Sequence, residues 1–368
     1  MTTLARRTWD MLRLLRQGGP GICNIAITNS CNATCDFCNF AYDKNTVSAI
    51  RWMDVDKFPD AIDILYEKSI RYLNIFGGEP LLHPGLVSFI EVAVQHDMAP
   101  AVITNGWLLP ARLPQLAQAG LKTVYVSIDS ARMREHESNR GLRGLTGRIR
   151  TANQQMRDLG IAAVAQVTVS RLLRDYRELV PTLQDLGFDA VTFSYPQKAK
   201  LGSSSLAWSE TSRLVNFTNE EMVEAFESID AIRDIFPVNN PRASVADMKR
   251  HLKGDPETFV CYGGYKSFYM DWNFDMWRCD AWQERLCSVW DFASTPLIRD
   301  GCTACIADCY RDSSVMLHFA VSLGDAMDLL QKGRLLGAIK SLASSRNLTS
   351  LGAIADNFRV LSRLARTG

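Results

Sequence analysis

Between residues 24 and 195 the chain alternates short β-branched or apolar runs with segments long enough for a helix, and this alternation leaves few folds open. Strands are expected at 24–28, 72–76, 101–104, 123–128, 162–169 and 190–194. Parallel strands joined by crossover helices satisfy such a pattern. Six units of this kind predict an α/β fold built as a partial, open (β/α)6 barrel. Helices are expected near 55–68, 86–96, 113–119, 148–159, 174–186 and 220–235. Gly120, Gly160 and Gly187 follow three of them, where glycine accepts the left-handed cap at no steric cost.

Small and polar residues at 198–205 and again at 237–241 mark the end of this repeating region. Alternation across 267–279, with Asn273 at the turn, predicts a β-hairpin in the segment that follows. The expected organisation is a basic amphipathic helix over 1–20, the barrel over 21–236, a cysteine-rich domain over 237–315 and a helical tail over 316–368. Lys and Arg number 41 against 40 Asp and Glu, so net charge gives no reason to expect nucleic acid. Arg6, Arg7, Arg13 and Arg16 interrupt the apolar residues of the first helix, unlike the core of a signal peptide. The best apolar run elsewhere, 315–324, is about half of the roughly 20 residues a bilayer-spanning helix needs. The chain therefore reads as cytoplasmic.

Ten cysteines without an export signal point to metal binding or redox chemistry. Cys31, Cys35 and Cys38 follow the first expected strand. Three thiolates cannot complete the four-coordinate ligation of a cubane cluster, which leaves one iron open to an external ligand. A zinc site or a set of buried thiols is the alternative, although zinc usually recruits four ligands from paired motifs. Loops after parallel barrel strands converge on one face. There the sequence places Gly77-Gly78-Glu79-Pro80, Asn105, Asp129, Ser170 and Tyr195, with Ser127 near the end of the fourth strand.

Cys31-Asn-Ala-Thr-Cys35-Asp-Phe-Cys38 resembles the CX3CXΦC motif of the radical S-adenosylmethionine (SAM) superfamily, with Phe37 as the aromatic, and Gly77-Gly78-Glu79-Pro80 resembles its GGEP segment. The resemblance covers roughly residues 21–196 and implies a partial TIM-like barrel. By it, Cys31, Cys35 and Cys38 would ligate a 4Fe-4S cluster whose free iron takes the amino and carboxylate groups of SAM. Electron transfer to the sulfonium would yield methionine and a 5′-deoxyadenosyl radical that abstracts hydrogen from substrate, with a reductase such as flavodoxin or ferredoxin as electron donor. Gly77 and Gly78 would admit backbone close to the cofactor, and Glu79 would accept from its ammonium. Pro80, Asn105, Ser127, Asp129, Ser170 and Tyr195 would complete the cofactor-contacting set. Arg140 would pair with the cofactor carboxylate.

Cys261, Cys279, Cys302, Cys305 and Cys309, among interleaved aromatics, resemble the twitch and SPASM extensions that hold auxiliary 4Fe-4S clusters. Six cysteines in this stretch, with Cys287, favour one cluster over two and the twitch type over SPASM. The expected ligands are Cys261, Cys279, Cys302 and Cys305, with Cys309 as a substitute for one of the last two; zinc is the alternative occupant. Cys287 is the candidate hydrogen donor to a substrate radical, its alternative being a small buried apolar residue. A radical SAM enzyme of oxidoreductase or isomerase type is expected. Its substrate would be a non-peptide small molecule such as a sugar, aminocyclitol or lipid precursor, since no further amino-terminal domain is present to hold a leader peptide. The alternatives are a maturase of ribosomally made peptides and a non-catalytic Fe-S or zinc protein. Basic, leucine-rich termini, with Lys332, Arg334, Lys340, Arg346, Arg359, Arg363 and Arg366 against Asp325, Asp328 and Asp356, read first as helices packed on the underside of the barrel and alternatively as amphipathic helices in peripheral contact with an anionic membrane.

Overall fold

The structure is a computed structural model and describes residues 3–38, 49–197 and 212–365, so the punctuating stretch at 198–205 lies outside it. The strands are β1 Gly21–Ala26, β2 Ile70–Phe76, β3 Ala99–Thr104, β4 Thr123–Ser127, β5 Ala162–Thr168, β6 Ala190–Ser194, β7 Ser267–Met270, β8 Asp275–Trp277 and β9 Arg285–Ser288. The helices are α1 Thr3–Arg16, α2 Phe58–Glu67, α3 Leu86–Gln95, α4 Leu109–Gln118, α5 Met133–Arg140, α6 Leu145–Asp158, α7 Leu179–Leu186, α8 Asn219–Ile232, α9 Arg242–Lys253, α10 Asp308–Gln331, α11 Leu335–Leu342 and α12 Ser345–Ala365.

All nine strands of the described residues form one sheet in the order β6-β5-β4-β3-β2-β1-β7-β8-β9. The first six are parallel and joined by crossover helices, which confirms the expected open α/β barrel. Helices cover these strands, and Ile25, Ile75, Val102, Val126 and Phe193 are fully enclosed, as a parallel sheet requires. Gly120, Gly160 and Gly187 all take positive φ (94°, 64° and 78°), the left-handed stops expected from sequence.

The hairpin of the cysteine-rich segment forms as expected. Asp271 holds its turn by accepting from the amides of Asn273 (2.8 Å) and Asp275 (3.3 Å) and from Trp277 Nε1 (3.1 Å). Its first strand, β7, runs parallel to β1 and pairs Ile22–Ile25 with Ser267–Met270, so the extension continues the barrel sheet. Pairing on both sides, by β2 and β7, shifts β1 to 21–26 from the expected 24–28. Strand β9 and helices α5 and α9 have no counterpart among the expected elements; α5 is almost wholly polar, MREHESNR, so hydrophobic periodicity gives no sign of it.

At the other edge, β6 is closed without a full neighbouring strand. Val191 N donates to Pro237 O (2.9 Å) and Asn239 N to Val191 O (2.8 Å). The Asn240 side chain then imitates a strand residue, its Oδ1 accepting from Phe193 N (2.7 Å) and its Nδ2 donating to Phe193 O (2.9 Å). Asn240 Nδ2 also donates to Asp312 Oδ2 on α10 (2.7 Å), which ties the edge to the tail.

Asn240→Ala strands both backbone groups of Phe193 and should lower stability by about 1–3 kcal/mol, read as an earlier urea midpoint; an unchanged midpoint would show that the edge is satisfied otherwise. Burial pushes the Asp312 carboxyl up to about 6 against hydrogen bonds from Ser244 and Asn240. The folded chain therefore holds this proton more tightly than the unfolded chain. Its contribution makes stability fall as pH rises from the ordinary aspartate value to about 6, and stay flat above. Thermal melts of the metal-free chain across that window should show the fall, and Asp312→Asn should flatten it.

Candidate cofactor sites

The loop after β1 is fixed at its start by Thr28, whose Oγ1 donates to Arg51 O (2.7 Å) and accepts from Ser30 N (3.0 Å). Further on, Thr34 N donates to Arg140 O (2.9 Å), Cys38 N to Cys35 O (3.3 Å) and Ala33 N to Cys31 Sγ (3.4 Å). Cys35 and Phe37 are buried, and Cys31 and Cys38 half-buried. Burial pushes the Cys31 thiol well above its ordinary range, and the neighbouring Glu79, Cys38 and Cys35 add to the shift. The three thiols are thus electrostatic neighbours, and metal binding there must release protons.

Gly77 and Gly78 have a packing role of their own. A Cβ on Gly77, which has φ 150°, would lie 2.4 Å from Thr28 O, and one on Gly78 would lie 2.1 Å from Ser30 O. The glycines let this loop lie against the backbone of the cysteine loop, where Gly78 N donates to Thr28 O (2.8 Å) and Glu79 N to Ser30 O (2.7 Å). Glu79 is fully enclosed and accepts from Leu81 N (3.0 Å), Thr104 Oγ1 (2.6 Å) and Asn105 N (2.8 Å). Of about four acceptor positions on a carboxylate, one is left for a further donor. Pro80 is buried in the short turn that follows.

Asn105 bridges to the cysteine loop, its Nδ2 donating to Asn32 Oδ1 (2.8 Å) while its Oδ1 accepts from Trp107 N (2.9 Å). Asp129 is fully enclosed and accepts from Arg140 Nη2 (2.6 Å) and Asn139 Nδ2 (2.8 Å). Burial opposes its charge, yet the Arg140 guanidinium and the His136 ring hold it well below the usual carboxylate range. Arg140 is in turn held charged against burial by Asp129 and by the Cys35 and Cys31 thiols. Among the described residues its buried Nε has no partner, and neither has the buried Ser170 Oγ. Ser127 ends β4, partly exposed.

Three thiols in one loop, an unpartnered guanidinium nitrogen beside them and one open acceptor position on Glu79 fit a thiolate-bound cluster together with a ligand carrying an ammonium and a carboxylate. Sequence reasoning missed Asn32, Thr104, His136 and Asn139. Asn139 adjoins Arg140 and Thr104 adjoins Asn105, so their placing next to selected residues was the available signal.

Tyr195 faces elsewhere. Its ring packs edge-on against Phe226 of α8 (4.6 Å), and its hydroxyl lies among Asp312, Asp308, Arg233 and Asp230 in the outer helical layer. A cofactor contact through this side chain is not supported. Cys287 pairs with Met276 on β8, and its electrostatic neighbours are Thr295, Asp291, Arg285 and Lys68. None of these belongs to either group of thiols, so the hydrogen-donor role is a proposal that this packing does not single out.

The other five cysteines do assemble. Cys261 N donates to Cys302 O (2.8 Å), and Gly263 N donates to Cys261 Sγ (3.3 Å). Burial pushes the Cys261 thiol up to about 11 and Cys305 up to about 12, each raised further by neighbouring thiols. Cys279 interacts with Cys305 and Cys261, and the fully enclosed Cys309 with Cys279 and Cys305. Cys309, named from sequence only as a substitute, is thus a full member of the group. Asp280 joins it, 4.0 Å from Cys309 Sγ, with its buried Oδ1 unpartnered. Among the described residues no three His, Cys, Asp or Glu side chains converge tightly enough for a single metal ion.

Residues 25–173 match the Radical SAM superfamily, and the barrel of this chain is a radical SAM domain. Such domains bind a 4Fe-4S cluster and SAM, and the cysteine-rich extension after it has the character of a twitch or SPASM segment. Among curated relatives, GTP 3',8-cyclase of Helicobacter pylori (strain HPAG1) is 33% identical over 108 residues, 29% of this chain and 34% of that protein. The antilisterial bacteriocin subtilosin biosynthesis protein AlbA of Bacillus subtilis (strain 168) is 24% identical over 172 residues, 46% of this chain and 38% of that protein. The chain thus spans little more than a third of the length of these relatives. The solved structure of native anSMEcpe with bound AdoMet shares the fold, with TM-score 0.55 at 14% identity, covering 94% of this chain and 99% of that one.

Gly78→Ala forces the two loops apart at Ser30, so anaerobic reconstitution should leave this variant with less iron per chain than the parent, while the cysteines of the extension load normally. Equal iron in both would show that the loop contact does not position the thiols.

Proposed function

We propose that this chain is a radical SAM enzyme acting on a non-peptide small molecule, a sugar, aminocyclitol or lipid precursor, by dehydrogenation, epimerisation or rearrangement. The observation that carries this reading is a cavity of about 300 Å³ with Cys305 in its wall, lined also by Gln197, Phe217, Met222 and His251. That volume suits a small ligand and lies at the low end for enclosed binding sites. His251 Nδ1 lies 2.9 Å from Glu257 Oε1, and Glu257 is clamped by Arg311, so the imidazole is oriented from behind.

When bound at Cys31, Cys35 and Cys38, the cluster supplies the one-electron reductive cleavage of SAM that starts hydrogen abstraction. The chain's part is to hold the reactants and keep water away. Arg140, charged and already beside the thiols, orients the carboxylate of SAM through its unpartnered Nε, while Glu79 offers its remaining acceptor position to the ammonium. Cys261, Cys279, Cys302 and Cys305 are the proposed holders of an auxiliary 4Fe-4S cluster, with Cys309 placed to replace Cys302 or Cys305. Electrons would come from a reductase of the flavodoxin or ferredoxin kind.

The likeness to AlbA, whose name places it in bacteriocin biosynthesis, supports a second reading in which the substrate is a ribosomally made peptide. Anaerobic reconstitution followed by incubation with a deuterated metabolite extract separates the two. Deuterium in 5′-deoxyadenosine, lost when Met222→Trp fills the cavity, supports the small-molecule reading. Deuterium arriving only from a labelled precursor peptide would replace that reading with the peptide one. The mass change of the consumed compound then tells oxidation from isomerisation.

A further inference from the structure

Helix α11 is built inside out. Ala338 is its buried contact, while Leu335, Leu336, Ile339 and Leu342 occupy an arc of about 120° at 100° per residue and are all exposed, Leu336 by 83%. In a helix that merely covers a core, this apolar arc would face inward. Leu330 at the end of α10 and Leu348 at the start of α12, the latter 73% exposed, extend the apolar surface on either side.

The charge around it has one sign. From residue 329 to residue 355 there is no Asp or Glu, whereas Lys332, Arg334, Lys340 and Arg346 are present and exposed. None of these four forms an ion pair among the described residues. Arg16, at the end of α1, adds a fifth cation by donating to Gln331 Oε1 (3.4 Å). Nearby acids fall outside the stretch, and one of them, Asp325, is engaged by Arg299 through two hydrogen bonds (2.7 and 2.6 Å).

We propose that this corner, formed by α11 and the adjoining ends of α1, α10 and α12, docks on a lipid bilayer rich in anionic headgroups, the leucines entering the headgroup boundary and the cations meeting lipid phosphates. A second copy of the chain is a poor occupant, because it would oppose the cations of 332–346 to their own copies, with Asp328 and Asp356 only at the margins of the stretch. No described helix is long and apolar enough to cross a membrane, so the contact is one of lying on the surface. Arg359, Arg363 and Arg366, which sequence placed in the same basic tail, lie outside the residues whose side chains are described. Helix α10 carries Cys309 in its first turn and ends at Gln331 beside the corner, 22 residues later, about 33 Å away at 1.5 Å per residue. The corner is therefore an anchor and not the mouth of the cysteine-lined cavity, and the proposal stands whatever the substrate is.

Cosedimentation of the full chain with extruded vesicles tests it. Binding is expected to vesicles containing phosphatidylglycerol, to weaken with added salt, and to be weaker by about tenfold or more on pure phosphatidylcholine. Leu336→Asp with Leu348→Asp should reduce binding by about tenfold or more, with unchanged circular dichroism and iron content because both side chains are exposed. Lys332→Glu with Arg334→Glu should do the same and remove the salt dependence. No pelleting with phosphatidylglycerol vesicles would overturn the proposal. So would equal binding to neutral vesicles, and so would a concentration-dependent dimer of the parent chain that the leucine variant abolishes.

Discussion

The contact on which the rest of the site depends is between two backbones. The loop after β2 lies on the loop after β1 through Gly78 N to Thr28 O and Glu79 N to Ser30 O, an approach open only to residues without a Cβ. With that approach fixed, Glu79 is carried into the interior and reaches Thr104 and Asn105 at the end of β3, and Asn105 reaches back to Asn32 in the cysteine loop. One steric requirement at two glycines thereby sets the relation of three strand ends and of the thiols between them. Three hydrogen bonds offset part of the cost of enclosing the Glu79 carboxylate, and burial still pushes it up from its ordinary value.

The cysteine-rich extension holds both edges of the open barrel. On one side β7 adds in parallel to β1, the strand that leads into Cys31, so the two groups of thiols are spaced by a single sheet. On the other, Asp308 at the start of α10 accepts from Ser194 Oγ (3.2 Å) and Tyr195 N (3.3 Å) at the end of β6, and Asp312 one turn later engages Asn240. Cys309 lies between these two aspartates in sequence. The helix turn that closes the barrel edge is thus the turn that delivers a thiol to the second group, and burial of Asp308 and Asp312, both pushed far up from the ordinary carboxylate range, is the strain accepted for that joint.

What sequence made legible follows from the reach of its signals. Apolar runs announced the six barrel strands because each sends fully buried side chains into the core, and the glycine stops announced helix ends because a left-handed cap suits glycine best. The cysteine triplet was legible because its chemistry is local, three ligands within eight residues. Asn240 standing in for a strand, α5 without apolar periodicity and the addition of β7 to β1 all depend on partners dozens to hundreds of residues away, and no local pattern encodes them. Tyr195 misled for the complementary reason: nearness in sequence to a strand end does not fix which side of the sheet a side chain takes.

Arg140 shows how the same residue serves structure and chemistry at once. Its carbonyl accepts from Thr34 N and its Nη2 donates to Asp129, so the backbone anchors the cysteine loop while the side chain is held charged in a buried place. A guanidinium without Asp129 would suffer the full cost of burial, and Asp129 without Arg140 would take up a proton. The pair keeps a fixed positive charge in electrostatic contact with the Cys31 and Cys35 side chains, at the loop whose thiols must lose protons to bind iron. Positioning of the loop and electrostatic preparation of its ligands are therefore two effects of a single buried ion pair, and neither can be altered without the other.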